Sequence, residues 1–505
     1  MPAYVLGQFH LYFWHLQINA VNLQWPPNPF PVVDQVMTQS YSQLVSNLEL
    51  YQQTDVLRFW DELSEAERTR LESELATVDF PTIQAVLEKV DGANSESTSG
   101  PSRAEIATAP ANVVRQPVTD DDRSHRLAMK AIGEQLLGDG KVAVITVAGG
   151  QGSRLGFEHP KGMFPIGPVT DRTLFQIFAE QIVARQRTHK CVIPWLVMTS
   201  SATHTETIDF FEQHSYFGLS KDSVKFFQQG SMPAVDAETG QLLLKTKSSL
   251  CLSPDGHGGL VTALKSSGLL DEMKAAGIQH FFYHQVDNPT AILCDPELIG
   301  LHHDQQSELT TNVVEKSGPT ERMGVLVDIN GCTEIIEYSE LTEAQAAAKD
   351  ANGQWIFWAG NTAIHVVQLS FFDRLTADGC QLELHLAHKK MAHLNSDGQV
   401  TEPAEANAYK FERFIFDALP LAKNALIVEG DRPREFNPVK NATGSDSPET
   451  CRDALNRIAA QWLLQAGQTV PANQALELSP LVALDAQQLQ QAFETGQVTL
   501  ADFVK

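Results

Sequence analysis

The sequence VAVITV, Val142–Val147, runs directly into AGGQGSRLGFEHPKG, Ala148–Gly162, and this junction decides the fold class. The first segment is apolar and β-branched apart from one alanine and one threonine, which predicts a strand buried on both faces. Gly149, Gly150 and Gly152 then allow a sharp turn and leave no side chain between the backbone and a ligand. Successive N–H groups in such a turn form a concavity that binds anions.

Two cations in the same segment, Arg154 and Lys161, favour phosphate binding. The alternative is a plain strand-to-helix turn with incidental basic residues, but the strand, the glycines and both cations coincide here. The segment matches neither familiar glycine motif. A dinucleotide-binding GxGxxG needs glycine where this chain has Leu155, with the glycine one residue later at Gly156, and the GK[ST] of a P-loop is absent.

Short β-branched runs alternate with helical patterns from Lys141 onward. Apolar residues at spacings of three and four predict helices, whereas continuous apolar runs predict strands. This alternation predicts an α/β fold with a mainly parallel sheet that is covered by helices on both faces. The predicted strands are Val142–Val147, Val192–Met198, Val224–Phe227 and His280–Val286, and the predicted helices are Leu174–Arg187, Glu206–His214 and Leu260–Ala276.

The chain on either side of this region differs in character. Residues 1–36 are rich in aromatic residues, proline and asparagine, and are interpreted either as an extra arm or as a segment upstream of a start at Met37. Helical spacing predicts a helical region over Val45–Val86. The Ser/Gly-rich segment Asp91–Glu105 predicts a hinge loop between that region and the main domain. After about Glu412 the preference for helix or strand is weak.

Composition favours a cytoplasmic enzyme of several domains. A chain of 505 residues exceeds one ordinary core. Its 37 Lys and Arg against 62 Asp and Glu give a net charge of −25, which disfavours nucleic acid but permits a local basic pocket for a nucleotide. Six scattered cysteines without a CxxC pair indicate a reduced intracellular protein. No apolar run spans a bilayer, and no Lys or Arg precedes Arg58, so neither a membrane partner nor a signal peptide is expected.

Two later segments place reactive or ligand-binding side chains where a predicted helix begins or a predicted strand ends. SPDGHGG, Ser253–Gly259, surrounds His257 with glycines before an apolar helical run, which suits either a close backbone approach to a base or sugar or a plain turn. HQVDNP, His284–Pro289, ends a buried strand, where open α/β sheets place ligand contacts. Asp287 is a candidate to hold a Mg²⁺ that bridges phosphates, and Asp-Asn-Pro alternatively forms a turn.

Three more polar positions complete an ordered set of motifs: Glu337 in EYSEL, Asn361 in WAGNTAIH and Lys440 in NPVKNA. Each alone is more typical of a structural role. Together with the earlier segments, over about Gln53 to Arg452, they resemble the UDP-N-acetylglucosamine pyrophosphorylases within the wider UDP-sugar pyrophosphorylase group. The other motifs of the resemblance are LRFWDEL (Leu57–Leu63), IPWLVMTS (Ile193–Ser200), YFGL (Tyr216–Leu219), FFQQG (Phe226–Gly230), VVEKSGPTERMGV (Val313–Val325) and FERFIFD (Phe411–Asp417).

The resemblance implies a central mixed, mainly parallel sheet of the nucleotide-diphospho-sugar-transferase type, which is Rossmann-like, with small N- and C-terminal domains. The expected divisions are an unmatched arm at 1–36, an N-terminal helical region at 37–110, a catalytic domain at 111–410 and a small C-terminal domain at 411–505.

The resemblance also implies a reaction and its residues. The expected enzyme is a uridylyltransferase in which a sugar 1-phosphate attacks the α-phosphorus of UTP in line, giving a UDP-sugar and pyrophosphate with Mg²⁺ as cofactor. Arg154, Lys161 and Lys440 are the expected catalytic residues, with Asp287 near the metal. The matching positions assign the nucleotide to Ala148, Gly149, Gly150, Gln228, Gly256 and His257, and the sugar to Gly324, Glu337, Asn361, Phe414 and Phe416.

Two departures from the family pattern bear on the substrate. Ser153 stands where the family usually has threonine and keeps the hydroxyl. His257 stands where typical eukaryotic N-acetylglucosamine enzymes have asparagine, and is similar to relatives that handle glucose or several sugars. N-acetylglucosamine 1-phosphate is the expected substrate, and glucose or galactose 1-phosphate is the alternative. Two rival functions stay open at this point: an inactive protein that binds UTP or a UDP-sugar, and a dinucleotide-dependent oxidoreductase. The sequence carries no indication of an oligomeric state.

Overall fold

The computed structural model of the chain describes residues 41–95, 102–470 and 474–503, so the arm at 1–36 lies outside the described residues. The strands in chain order are β1 Val113–Val114, β2 Val142–Val147, β3 Trp195–Thr199, β4 Val224–Gln228, β5 Ser231–Pro233, β6 Val235–Asp236, β7 Leu244–Thr246, β8 Ser249–Leu250, β9 Leu252–Pro254, β10 His280–Gln285, β11 Leu309–Glu315, β12 Val325–Ile329, β13 Cys332–Ile336, β14 Ala359–Gln368, β15 His385–Lys389, β16 His393–Leu394, β17 Val400–Thr401, β18 Ala408–Glu412 and β19 Ala425–Glu429. The α-helices are α1 Tyr41–Leu50, α2 Glu65–Ala76, α3 Phe80–Ser95, α4 Arg103–Ile106, α5 Asp120–Gly138, α6 Leu174–His189, α7 His204–Gln213, α8 Leu260–Ser266, α9 Leu269–Ala275, α10 Pro296–Asp304, α11 Glu343–Ala346, α12 Leu369–Leu375, α13 Arg432–Glu435, α14 Pro448–Gln465 and α15 Ala486–Glu494. Within these ranges, none of the helices combines the length and the apolar character that crossing a membrane requires.

The central sheet has the strand order β1-β19-β11-β14-β10-β2-β3-β4. Neighbouring strands pair in parallel throughout this order except at β14, which is antiparallel to both β10 and β11. The hairpin of β12 and β13 joins the sheet beside β14. The prediction of an α/β fold with a central, mainly parallel sheet is therefore confirmed.

Strand β2 lies near the middle of this sheet and is buried on both faces, as its sequence predicts. Val142 and Val144 pack into one core with the apolar face of α6. Ala143 and Ile145, which point the other way, pack into a second core with α8, α9 and α12. Alternate residues of a strand face opposite sides of a sheet, so one six-residue segment holds the two helical layers together.

The N-terminal helices do not form a core of their own. Leu48, Trp60 and Leu71 are buried together with Val235 and Phe411, which belong to the small strands β6 and β18. The predicted helicity of Val45–Val86 is confirmed by α1, α2 and α3. The long-range partners of these helices supply the tertiary packing that stabilises short helices.

Two local predictions were wrong in part. The ends of the predicted loop Asp91–Glu105 are helical, since α3 continues to Ser95 and α4 begins at Arg103, and residues 96–101 lie outside the described residues. Adding residues to an existing helix costs little, and Ser102 and Glu105 form a capping box that starts α4, a pattern present in the sequence. The single helix predicted over Leu260–Ala276 is two helices, because Gly268 adopts a φ of +76° and ends the first.

The C-terminal region is more structured than its weak preferences suggest. Helix α14 has 18 residues and begins with Ser447 in a capping box followed by proline at the first turn. The chain crosses the predicted boundary at residue 410 inside β18, and β19 then lies in the central sheet. Because a domain division seldom cuts a sheet, we propose that the C-terminal domain begins near Ser447.

Buried histidines are frequent in and behind the central sheet. His284 on β10 lies 2.7 Å from the hydroxyl of Thr146, and His302 on α10 lies 2.8 Å from the hydroxyl of Thr310. Burial lowers the pKa of five histidines: His257, His280 and His284 to about 4, His365 to about 3, and His302 well below its usual value. These side chains are therefore neutral in the folded protein.

These histidines predict that acid lowers the stability of the fold. A histidine in the unfolded chain has a pKa of about 6.5, so below that pH the unfolded state binds more protons and gains about 1.4 kcal/mol per pH unit and group. Asp255 and Glu435 act in the opposite sense, because burial raises their pKa to about 6 and about 7 and the stability they contribute is lost as pH rises through those values. Burial also raises the pKa of Asp295, Glu297, Glu337 and Asp446 and lowers the pKa of His189 and His204. We expect the five fully neutral histidines to dominate between pH 7 and pH 5, because their pKa in the folded protein lies below this whole range. The thermal midpoint should fall between pH 7 and pH 5, and an equal or higher midpoint at pH 5 would contradict the argument.

Candidate active site

The candidate site residues gather at one edge of the central sheet. Ala148 directly follows β2, Gln228 is the last residue of β4, and Asp287 lies two residues after the end of β10. Because β14 runs antiparallel to these strands, its amino-terminal part, which carries Asn361, lies at the same edge. This is the edge at which open α/β sheets bind ligands.

The glycine-rich turn after β2 is fixed through its carbonyl groups. Ser200 Oγ donates to the carbonyl of Gly149 at 2.7 Å, and the Lys161 N–H donates to the carbonyl of Gly150 at 3.0 Å. No acceptor among the described residues is assigned to the N–H groups of Gly149 and Gly150. A side chain at Gly149 would bring its Cβ within 2.3 Å of Gln229 Oε1. The turn therefore presents two amides, and a side chain at Gly149 would displace Gln229, whereas a Cβ at Gly150 would meet open space.

Lys161 pairs with Asp287, and Lys440 belongs to the segment that packs beside Asp287. Lys161 Nζ is 3.4 Å from Asp287 Oδ2, and both side chains are largely buried. The Val439 N–H donates to the carbonyl of Asp287 at 2.8 Å, so the backbone of the neighbouring Lys440 lies close to Asp287. The ammonium of Lys440 lies 5.4 Å from the ring of Phe436. Besides burial, the charges of Lys440 and Asp287 both act on the pKa of Asp446. Lys161 and Lys440, nearly 280 positions apart in sequence, therefore lie in one region of the fold.

Arg154 lies apart from these lysines. It belongs to the single turn Ser153–Leu155, its side chain is exposed, and no hydrogen bond or ion pair to another described residue is assigned to it. The surrounding segment is closed by a bridge between Gln151 and Pro160. His159 Nδ1 lies 2.5 Å from Glu206 Oε1 on α7 and ties the segment to the fold.

Gly324, Glu337 and Asn361 meet at the start of β14. The Asn361 N–H donates to the carbonyl of Gly324 at 2.9 Å. A Cβ on Gly324 would lie 2.8 Å from Glu337 Oε1, so only glycine lets the carboxylate approach this closely. Burial raises the pKa of Glu337, Glu340 raises it further, and the charge of Lys440 lowers it. Lys440 and Glu337 therefore share one electrostatic environment.

His257 packs against the aromatic pair. Its ring lies 5.4 Å from Phe414 and 5.6 Å from Phe416, and those two rings stack at 5.0 Å. The Ile415 N–H donates to His257 Nδ1 at 3.2 Å, which places the ring proton of the neutral side chain on Nε2. The preceding Gly256 has a φ of +84°, and a Cβ there would lie 2.4 Å from the Arg413 carbonyl oxygen. The loop thus requires glycine beside the aromatic segment.

Two comparisons identify the family. The model of the UTP–glucose-1-phosphate uridylyltransferase family matches residues 103–498. UDP-N-acetylglucosamine diphosphorylase 2 of Arabidopsis thaliana is 35% identical over 502 residues, which cover 94% of this chain and 95% of that protein. The chain belongs to the UDP-sugar pyrophosphorylase family.

Two further members of the UDP-sugar pyrophosphorylase family are similar over most of the chain. The UDP-N-acetylglucosamine pyrophosphorylase of Saccharomyces cerevisiae is 35% identical and covers 87% of this chain and 94% of its own length. A crystal structure of the uridine diphosphate N-acetylglucosamine pyrophosphorylase of Trypanosoma brucei is 27% identical, with a TM-score of 0.77 over 91% of this chain and 96% of that chain. The resemblance predicted from the motifs is confirmed.

Sequence reasoning about this pyrophosphorylase missed two supporting residues. Gln228 at the end of β4 is exposed, whereas its neighbour Gln229 lies against Gly149. Asp255 is buried beneath the His257 loop, and burial raises the pKa of its carboxyl to about 6. A Cβ on Gly230 or Gly259 would come within 2.4 Å or 2.0 Å of that carboxylate. Gly230 and Gly259 can be seen in the sequence, but the sequence does not show that both face the carboxylate of Asp255.

Proposed function

We propose that this protein is a uridylyltransferase that forms UDP-N-acetylglucosamine and pyrophosphate from UTP and N-acetylglucosamine 1-phosphate. The observation that carries the proposal is the ion pair of Lys161 with Asp287, in the segment packed next to Lys440, beside two amides of Gly149 and Gly150 that have no assigned acceptor among the described residues. Lysines beside an amide-lined turn suit a triphosphate. The names of the relatives, which are 35% identical in both the plant and the yeast protein, support the choice of sugar.

The nucleotide is assigned to the amide-lined turn and the loop that faces it. In this proposal, Ala148, Gly149 and Gly150 line the uridine with backbone atoms, and Gln228 and Gly256 border it. His257 contributes Nε2–H as a neutral donor, since Nδ1 already accepts from Ile415. A neutral donor suits a base or ribose oxygen, because it adds no charge where the ligand has none.

The sugar is assigned to the pocket formed by β13, β14 and the segment after β18. Glu337 and Asn361 offer a carboxylate and an amide to sugar hydroxyls, and the absent side chain of Gly324 leaves room for the ring. Phe414 and Phe416 supply a stacked apolar wall. An apolar wall with a few polar groups is the usual form of a small-molecule site.

The proposed chemistry needs positioning and charge neutralisation more than a base. The attacking oxygen of the sugar 1-phosphate is already an anion, and its in-line approach to the α-phosphorus expels pyrophosphate. Lys161 and Lys440 would hold phosphate oxygens, and Arg154 would reach the same group from the turn above. These cations act where negative charge accumulates on five-coordinate phosphorus.

The residues present fit a Mg²⁺ ion that arrives with the substrate. Magnesium is usually held by one or two carboxylates together with substrate phosphates, and Asp287 offers one carboxylate beside the proposed phosphate site. Among the described residues, no group of three or more His, Cys, Asp or Glu side chains could hold a metal ion unaided. When bound, the ion would neutralise phosphate charge.

Asp287→Asn is expected to raise the Mg²⁺ concentration needed for half-maximal activity at least roughly ten-fold, since one charged oxygen ligand is lost. The measurement is pyrophosphate release during a Mg²⁺ titration, with removal of the ion by EDTA as the zero point. Asp120→Asn is a matched control, because Asp120 is an exposed carboxylate that pairs only with the exposed Arg123. Superimposable Mg²⁺ curves for Asp287→Asn and the unaltered protein would remove the assignment.

The proposed function is tested by supplying UTP and Mg²⁺ with each of three sugar 1-phosphates and measuring pyrophosphate release. The highest kcat/KM is expected with N-acetylglucosamine 1-phosphate. A preference for glucose 1-phosphate would favour the alternative that the family model's description and His257 support. Binding of UTP without pyrophosphate release from any sugar would indicate a protein that has lost the activity.

A further inference from the structure

A histidine–aspartate pair borders the proposed sugar pocket and has no assigned role. His385 is the first residue of β15, and Asp417 follows the aromatic pair in the turn Ile415–Leu421. Their side chains are joined by a hydrogen bond of 2.7 Å between His385 Nε2 and Asp417 Oδ2. The histidine side chain is 39% exposed and the aspartate 19% exposed, so the pair lies at an accessible surface of the molecule.

The pair is in contact with the aromatic wall of the pocket. The ring of His385 lies 4.7 Å from that of Phe414, which in turn contacts Phe416 and His257. The rings of His257, Phe414, Phe416 and His385 therefore form one continuous group. His257 belongs to the proposed nucleotide site, and His385 contacts the group through Phe414.

The pair is also close to the polar wall of the pocket. The charge of Asp417 contributes to raising the pKa of Glu337, and Glu340 contributes to raising the pKa of His385. Such effects act over short distances in a partly buried site. The pair therefore contacts the stacked phenylalanines directly and lies near enough to Glu337 for its charge to act there.

The chemistry of His385 leaves one donor free. Asp417 accepts from Nε2, and no partner among the described residues is assigned to Nδ1. The hydrogen bond that His385 donates to Asp417 raises the pKa of His385, which favours the imidazolium, in which both ring nitrogens carry a proton. A carboxylate that orients one ring nitrogen fixes the direction in which the other donates.

We propose that His385, oriented by Asp417, donates a hydrogen bond from Nδ1 to an oxygen of the bound sugar and thereby sets affinity for the sugar half of the UDP-sugar. The proposal rests on the proposed function for the location of the sugar. The proposal predicts different effects on UDP-N-acetylglucosamine and on UDP, because UDP ends at the diphosphate and has no sugar oxygen for His385 to contact. A pair that only braced the aromatic group would change the binding of both ligands.

The test compares the binding of UDP-N-acetylglucosamine and of UDP by calorimetry. His385→Phe keeps a ring against Phe414 but removes the donor, and should weaken UDP-N-acetylglucosamine roughly ten-fold, the effect of one charge-assisted hydrogen bond, while UDP binds as before. His385→Gln restores a donor and should recover most of the affinity. Asp417→Asn should weaken the UDP-sugar alone, by less than His385→Phe. In turnover, KM for the sugar 1-phosphate should rise while KM for UTP and kcat hold.

Each outcome decides the proposal. Unchanged affinity for UDP-N-acetylglucosamine in His385→Phe overturns it, as does equal weakening of both ligands without recovery in His385→Gln. An unaltered protein that binds UDP-N-acetylglucosamine no more tightly than UDP also overturns it. Binding as expected without any pyrophosphate release would leave the role of His385 standing and refute the proposed function, so the two failures are distinguishable.

Discussion

Arg154→Ala is expected to lower kcat/KM for pyrophosphate release about 100- to 1,000-fold without lowering the thermal midpoint. Removing one donor that stabilises charge in a transition state costs roughly 2.7–4 kcal/mol. Arg154 is suited to such a test because its exposed side chain has no assigned partner among the described residues. Its loss therefore breaks no contact that supports the fold. Lys161 is a poorer choice, since removing it would also leave the largely buried Asp287 carboxylate without its ion pair.

Two variants make the Arg154 result interpretable. Arg154→Lys keeps the charge but loses the planar fork, and should recover part of the activity. Arg70→Ala removes another exposed arginine, on α2, whose surface pair with Glu74 contributes little to stability, and should leave turnover unchanged. The measurements are initial rates of pyrophosphate release and a melting curve for each protein. Near-normal turnover by a folded Arg154→Ala protein would refute a catalytic role for this side chain.

The part of the site that the sequence predicts directly lies next to strand ends. Val142–Val147 is the predicted strand residue for residue, and Ala148, Gly149 and Gly150 follow it as expected. The same reasoning predicts Asp287 just after a buried strand. Such positions can be predicted because parallel strands bring their carboxyl ends to one edge, whatever their order in the sheet.

The positions of Lys440, Glu337 and Asn361 cannot be predicted from strand ends in this way. Each is an ordinary polar residue in its own segment, and only the resemblance singles it out. Their meeting depends on the antiparallel entry of β14 and on the Val439 N–H that bonds to the Asp287 carbonyl. Neither feature can be recognised from a local sequence pattern, because both result from how distant segments of the chain pair. His385 is similar, since the bond to Asp417 spans 32 positions.

The organisation of the chain around the central sheet is also only partly predictable. Hydrophobic spacing identifies helices α1 to α3, but it does not say that they share a core with strands as late as β18. A boundary at residue 410 follows a change in composition, whereas strand pairing continues to Glu429. The composition of a segment indicates which of its side chains can be buried, but it does not identify the segment against which they pack.

Gly133→Ala is expected to destabilise the fold by about 3 kcal/mol or more, the upper part of the range for overpacking. Gly133 on α5 faces Pro296 at the start of α10, and a Cβ there would lie 1.8 Å from the Pro296 carbonyl oxygen. Reciprocally, a Cβ on Gly300 of α10 would lie 1.8 Å from the Met129 carbonyl oxygen. Both obstacles are backbone atoms of regular helices, which cannot rotate away, so the two helices would have to separate.

The same helix supplies the control for Gly133→Ala. Gly138 ends α5, is exposed, and a Cβ there would have its nearest neighbour at 3.8 Å. Gly138→Ala should be neutral or slightly stabilising, because alanine restricts the unfolded chain more than glycine does. The comparison is made by thermal and urea unfolding of both variants. Equal midpoints for the two would mean that the helices do not approach through their glycines. Since α10 follows the segment that carries Asp287, separation of the helices should also lower kcat in Gly133→Ala and leave it unchanged in Gly138→Ala.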